Sequence, residues 1–104
     1  MESVFSYGTL MDPRVQRRVI GRLVEGRPDV LAGHRREVIV LDGVSYPIAV
    51  PDPDQAIAGH VIEVTGPELK RIDRYEGREY VRVRVRLQSG TWAWVYRAPE
   101  GAER

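Results

Sequence analysis

Two short segments of this chain carry residue types that could do chemistry. The first is Tyr7-Gly8-Thr9-Leu10. Its glycine follows an apolar run and precedes a helix start, so successive backbone N–H groups can point into one space, an arrangement that binds anions. Tyr7 and Thr9 bring hydroxyls to this turn, and Leu10-Met11 brings an apolar wall. The mixture suits a small ligand with a carboxylate and an apolar or flexible part, although a plain strand-to-helix connection explains the same residues. The second segment is Asp73-Arg74-Tyr75-Glu76-Gly77. Asp73 and Glu76 are three apart and lie near each other on one side of a helix. Glu76 stands at the helix end, beside the apolar stripe of Leu69 and Ile72. A carboxylate partly buried there has its pKa raised, which suits a general acid or base. The alternative is a surface glutamate paired with Arg74 or Arg78.

Other groups are better explained without chemistry. Arg82, Arg84 and Arg86 alternate with Val81, Val83, Val85 and Leu87. They could track phosphates, but a short charged stripe is expected as a solvated strand face that resists edge aggregation. Trp92, Trp94 and Tyr96 share one face of the next strand. They could stack on bases, yet the expectation is packed core beside Val83 and Val85. His34 and His60 have no partner at telling spacing and read as structural or exposed.

Several elements must position these groups. Val4-Phe5-Ser6-Tyr7 reads as a first strand, broken by Gly8. Asp12-Pro13 starts a helix, with Asp12 as cap. Val15, Val19, Ile20 and Leu23 continue it, and Gly26 ends that region. Val38-Ile39-Val40-Leu41 is continuously apolar, which suggests burial on both faces, and Asp42-Gly43 turns the chain. Tyr46 to Val50 contains Pro47 and should be an edge or a loop. Pro51-Asp52-Pro53-Asp54 reads as an exposed turn. Ala56 to Val64 is a strand in which Gly59 marks a bulge or a close backbone approach. Thr65 and Glu68 have capping-box spacing for a second helix, which ends at Glu76-Gly77. Ser89-Gly90 joins two final strands. The sum is an α+β chain of about six short strands and two helices, with residues 1–98 as one domain and 99–104 as a frayed tail. These patterns leave a barrel and an open sheet both possible.

Composition narrows the function classes. The chain has 104 residues and a net charge of +1, with 42% hydrophobic and 30% charged residues, as expected of one globular domain. No apolar run is long enough to span a bilayer, and no signal-peptide pattern opens the chain. Cysteine is absent, which removes disulfides, thiolate nucleophiles and cysteine-ligated zinc. Two histidines cannot build a three-histidine metal site. The expected location is cytoplasmic. Neither nucleic acid nor membrane is an expected partner, and the oligomeric state is not legible.

Taken together, Phe5-Ser6-Tyr7-Gly8-Thr9-Leu10 and Asp73-Arg74-Tyr75-Glu76-Gly77, followed by Tyr80 and Arg82, resemble the γ-glutamylcyclotransferase-like family. That family includes the γ-glutamylamine cyclotransferases and the AIG2-like proteins. Tyr46-Pro47 and Gly59-His60-Val61 fit the same pattern, and the resemblance runs from about Val4 to Tyr96. It implies a small mixed β-barrel with flanking helices. It implies that Tyr7, Gly8, Thr9 and Leu10 hold the substrate's α-amino-acid end, with Tyr80 and Arg82 also binding substrate, and that Glu76 is the catalytic acid/base. The implied reaction is an intramolecular aminoacyl transfer: the α-amine of a γ-glutamyl amine or amide attacks the γ-carbonyl, 5-oxoproline forms and an amine leaves. No metal or organic cofactor is implied, and the expected partner is a small-molecule γ-glutamyl substrate. The nucleophile belongs to the substrate, so the lack of cysteine is no obstacle. A module of the same fold that holds a small acidic metabolite without turning it over is the second reading; nucleic-acid binding through the arginines and tryptophans is the third.

Overall fold

The computed structural model describes residues 1–99. Five strands form one mixed sheet in the order β2-β3-β1-β5-β4, flanked by two helices. In chain order these are β1 (Glu2–Ser6), α1 (Pro13–Val19), β2 (Arg27–Leu41), β3 (Val44–Val64), α2 (Gly66–Glu76), β4 (Val81–Arg86) and β5 (Trp92–Arg97). All neighbours are antiparallel except β1 and β5, which run parallel with Val4 beside Trp94. The sheet curls until its far edges meet: the Gln88 amide after β4 donates to the Val30 carbonyl of β2 at 2.9 Å. The Ala98 amide after β5 donates to the Ala49 carbonyl of β3 at 3.0 Å. The small barrel with flanking helices is therefore present, but with five strands instead of about six short ones.

The difference lies in β2 and β3, which are 15 and 21 residues long. Pro51 to Gln55 does not end a strand. It forms a bulge, because the register passes from Ala32 opposite Ala56 to His34 opposite Pro51. The Asp52 carboxylate accepts from the Asp54 amide there, so the segment is turned and mostly exposed as its composition suggests, yet β3 continues through it. Beyond the bulge, β2 and β3 extend as a two-stranded arm turning at Asp42-Gly43. Pro47 lies in this arm, where β3 has β2 on one side only, a place that tolerates the missing N–H. Val38 and Val40 are 59% and 64% exposed, so the expectation that residues 38–41 are buried on both faces is overturned: Ile39 packs against Ile48 and Tyr80, but among the described residues no second sheet or helix covers the Val38 and Val40 face.

The two faces of the sheet do different work. Inside the curl, Phe5, Leu31, Ile57, Val61, Ala93 and Val95 pack together. On the outside, Val4, Ile62, Val64 and Tyr96 pack against Leu10, Val19, Leu69 and Ile72 from the helical side. Gly59 permits this curvature. A Cβ there would lie 2.6 Å from Phe5 Cζ and collide with the Ser6 carbonyl oxygen, so the close backbone approach read from the sequence is what requires glycine.

β4 and β5 correct another expectation. Their register sets Arg82 opposite Tyr96, Arg84 opposite Trp94 and Arg86 opposite Trp92. Paired residues share a face, so the aromatic residues stand with the arginines and not with Val83 and Val85. The Arg82 and Arg84 guanidinium carbons lie 4.3 and 5.5 Å from the Trp94 ring centroid, and Trp92 is exposed. Ala93 and Val95 face Val83 and Val85 inside the curl instead, while Tyr96 on the other face is buried in the core with the helices.

Local signals set both helices. Asp12 caps α1 by accepting from the Arg14 amide, with Pro13 at the first position. That helix stops at Val19 and not near Gly26, because Gly21 takes a left-handed conformation with φ +93°. Leu23 is consequently exposed. In α2 the Thr65–Glu68 capping box forms in full, and Gly77 caps the other end with φ +73°. Arg22 pairs with Glu68 at 2.8 Å and holds that carboxyl at about 2, well below the ordinary carboxylate value. The Arg71 guanidinium donates to the Val19 and Ile20 carbonyls at 3.2 and 2.7 Å, tying α2 to the end of α1. Of the C-terminal tail expected over residues 99–104, residues 100–104 lie outside the described residues.

Gly59→Ala should lower stability by about 3 kcal/mol, because the clash is with backbone and an aromatic ring and neither yields cheaply. Urea unfolding monitored by tryptophan fluorescence would measure it.

Candidate functional site

The turn after β1 and the end of α2 open onto one cavity of about 350 Å³. Four groups of residues build it. Phe5 to Leu10 form the floor and one wall, and Val44 to Pro47 of the arm form the opposite wall. Tyr75 and Glu76 come from the last turn of α2, and Tyr80 and Tyr96 complete the lining. Tyr7, Gly8, Thr9, Leu10, Tyr80 and Glu76, all singled out in the sequence, thus share one space although Glu76 lies far along the chain from the turn. Arg82 does not line the cavity. Its guanidinium pairs with Asp73 at 3.3 Å and stacks over Trp94.

Tyr7 spans the barrel. Its hydroxyl donates to the Tyr96 carbonyl at 2.5 Å and accepts from the Ala49 amide at 3.0 Å, so β1 is bonded through one side chain to β5 and β3. Burial raises the phenol's pKa well above the ordinary tyrosine value. The hydroxyl is therefore neutral and fully engaged, and it positions the wall. Tyr80 donates to the Pro47 carbonyl at 2.5 Å, anchoring the arm to the segment after α2. The Tyr96 hydroxyl donates to the Asp73 carboxylate at 2.5 Å. Thr9 and Tyr75 share a hydrogen bond of 2.5 Å across the mouth between the turn and α2.

The turn itself is tight. Thr9–Met11 forms one turn of 3-10 helix, closed by the Met11 and Asp12 amides donating back to Gly8 and Thr9 carbonyls. Among the described residues the Gly8, Thr9 and Leu10 amides have no partner in the protein, leaving three donors beside the cavity. A side chain at position 8 would bring its Cβ within 3.1 Å of Pro47 Cγ, so glycine keeps the floor and the arm close without filling the space between them.

Among the described residues Glu76 is the one carboxylic acid of the lining, and no lysine or arginine lines it. Its carboxylate makes no hydrogen bond or ion pair with the described residues, so the surface pairing with Arg74 or Arg78 does not form. Burial alone pushes its pKa up to about 7. A group of that pKa exchanges protons readily at neutral pH, and the three free amides nearby can hold an anion. The cavity can therefore bind a small molecule by an anionic end and move a proton at another atom. Among the described residues no cluster of three His, Cys, Asp or Glu could hold a metal ion.

Several lining residues had not been singled out: Tyr75, Tyr96, Val44, Ser45, Tyr46 and Pro47. Tyr75 directly precedes Glu76, and Tyr46-Pro47 had been noted only as part of the family pattern. For Val44 and Ser45 no sequence signal existed, since they reach the cavity through the length of the arm. His34 is buried at the bulge, with Nδ1 3.0 Å from the Ala32 carbonyl. His60 lines a second concavity of about 780 Å³ on the other side of Ser6 to Gly8.

The curled five-stranded sheet agrees with what comparison with known proteins finds. The model of the family described as gamma-glutamyl cyclotransferase, AIG2-like, matches residues 4–104, and the chain belongs to that family. It is 32% identical over 103 residues to protein AIG2 C of Arabidopsis thaliana, covering 89% of this chain and 61% of that protein. The chain thus spans about three fifths of that relative's length. A solution structure of another Arabidopsis thaliana protein, 31% identical, superposes with a TM-score of 0.80 over 95% of this chain and 69% of that one. A solved structure named gamma-glutamyl cyclotransferase, 14% identical, shares the fold with a TM-score of 0.79 over 94% of this chain and 66% of its own.

An unpaired buried carboxyl has a thermodynamic signature. The folded-state pKa of about 7 lies above the ordinary 4.5, so folding favours the protonated form. The stability this contributes is complete below about pH 4.5 and is lost as pH rises through 7. Glu76→Gln, which cannot ionise, should match the wild type at pH 4 and exceed its stability by about 2 kcal/mol at pH 8, measured by urea unfolding at both values.

Proposed function

We propose that this protein is a γ-glutamyl cyclotransferase, converting a γ-glutamyl amine or amide to 5-oxoproline with release of the amine. The observation that carries this reading is the placement of Glu76, unpaired and half-buried, in the same cavity as the free amides of Gly8, Thr9 and Leu10.

The substrate's α-carboxylate is held by those three amides, the role an oriented run of N–H groups serves without a basic side chain. Its α-ammonium then faces Glu76. The carboxylate accepts a proton, the freed amine attacks the γ-carbonyl carbon, and a five-membered ring closes. Glu76 next delivers a proton to the departing amine nitrogen as the amide C–N bond breaks. Holding the flexible glutamyl chain folded removes rotational freedom ahead of ring closure, and positioning of this kind is worth several kcal/mol. Tyr80 stands at the wall as a neutral hydroxyl, its pKa raised first of all by burial. Arg82 reaches the reaction only indirectly, through Asp73 and then the Tyr96 hydroxyl.

Incubation with γ-glutamyl amides should produce 5-oxoproline, read by chromatography. Glu76→Gln should lower kcat by about a thousandfold. The acid limb of kcat/KM should rise with pH through about 7, because the carboxylate is the reactive form in the free enzyme. The limb of kcat should fall at lower pH, since a bound ammonium favours the ionised carboxylate. Equal turnover by Glu76→Gln would remove Glu76 from the mechanism. Ligand-dependent stabilisation with no product across a broad panel would instead make the protein a binding module.

A further inference from the structure

The outer face of β4 and β5 carries a row of groups that the cavity does not use. Strand register interleaves arginine and aromatic side chains there, with Arg84 opposite Trp94 and Arg86 opposite Trp92. A tryptophan packed in the core could not stack on a base, and that expectation fails for Trp92. The two tryptophans differ in what they have left to offer. Trp94 is already engaged: the Arg82 and Arg84 guanidinium carbons lie 4.3 and 5.5 Å from its ring centroid, and its indole N–H donates to the Glu2 carboxylate at 2.8 Å. Trp92 is 53% exposed, and among the described residues no guanidinium or second ring stacks on it. The charges divide in the same way. Arg82 pairs with Asp73 at 3.3 Å, whereas Arg84 and Arg86 are exposed and have no acidic partner among the described residues. The two acids beside the row are occupied, Glu2 by Trp94, and Asp73 by Arg82 and the Tyr96 hydroxyl. What stays available is one aromatic plane and two cations on a single face. Arg84 and Arg86 are two residues apart on one strand, so their Cα atoms are about 7 Å apart, near the step between successive phosphates of an extended chain.

We infer that this face binds single-stranded nucleic acid, with a base stacked on Trp92 and neighbouring phosphates on Arg84 and Arg86. Every base has a π-face, and a guanidinium meets a phosphate through paired N–H donors. Neither contact reads base edges, so the binding is sequence-tolerant. A duplex keeps its base faces stacked on each other and offers Trp92 nothing. A lipid surface fits less well, because Trp92 is the one large apolar side chain exposed on this face among the described residues, too little to enter a bilayer interface. An acidic peptide would satisfy the arginines and leave the indole unused. Trp92, Arg84 and Arg86 do not line the cavity, so the inference stands or falls independently of the cyclotransferase reading.

Titration of a fluorescein-labelled oligothymidylate of about ten nucleotides, followed by anisotropy, tests it. Affinity should fall about sevenfold between about 50 and about 200 mM salt, the dependence expected for two phosphates on a single strand. Trp92→Ala should weaken binding about tenfold without changing the salt dependence, and Trp92→Phe should restore most of the loss. Combining Arg84→Gln with Arg86→Gln should flatten the salt dependence. Absence of saturable binding at low salt overturns the inference. So does unchanged affinity in Trp92→Ala, or equal competition by inorganic polyphosphate, which offers charge without bases. Equal competition by polyglutamate or by phosphatidylserine vesicles would overturn it in favour of an acidic protein or a membrane. A fall in oligomeric mass in Trp92→Ala, read by light scattering, would instead make the face a contact between two copies.

Discussion

The hydroxyl of Tyr7 is the point through which the barrel and the cavity hold each other. It joins three strands that the sheet order sets side by side, bonding to a carbonyl of β5 and an amide of β3. Buried polar groups left unpaired are costly, so the Ala49 amide and the Tyr96 carbonyl both depend on this one side chain. That dependence fixes where β1 ends and so where Gly8, Thr9 and Leu10 begin. A residue that resembles a catalyst by type and place is in this fold a brace. Glu76, by contrast, has no electrostatic partner among the described residues.

The contrast between Glu68 and Glu76 shows how position decides what a carboxyl does. Both lie on α2. Glu68, at the start of the helix, accepts from the Thr65 amide and from Arg22 and stays ionised down to strongly acid pH. Glu76, at the last turn, has no donor and is desolvated, so it titrates near neutrality. The first stabilises the helix that carries the second. Asp73, between them, is occupied by Tyr96 and Arg82 and steadies β4 and β5 against the helix.

Much of this was legible in the sequence where the physics is local. Thr65 and Glu68 satisfy each other's backbone amides within one turn, and Gly77 ends the helix through its own dihedral angles, so α2 and the position of Glu76 at its end follow from spacing. Gly59 announced a bulge or a close backbone approach, and the second is what requires it. The turn at Gly8 was readable from its glycine in the same way. What was not legible depends on register between distant segments. Whether Trp94 stands with Arg84 or with Val83 is decided by which β5 residue lies opposite which β4 residue, and alternation within one strand is silent on that. The Val38–Leu41 run looked doubly buried because composition cannot distinguish a residue covered by protein from one exposed on a two-stranded arm. The length of β3 was hidden by Pro51 to Gln55, whose turn chemistry is real but is absorbed in a bulge.

That bulge has a further consequence. Between Ala56 and Pro51 the partner strand advances from Ala32 to His34 only, so the register of the arm is set independently of the register in the barrel. The pairing of β3 with β1 lies on one side of it, and the wall of Val44 to Pro47 is carried on the other, tied back to the turn through the Ala49 amide on the Tyr7 hydroxyl. The fold is in this sense two modules on one continuous strand. The wall can drift in shape and polarity over evolutionary time while Glu76 and the turn at Gly8 stay in place, so one pocket can be offered to a changing set of molecules.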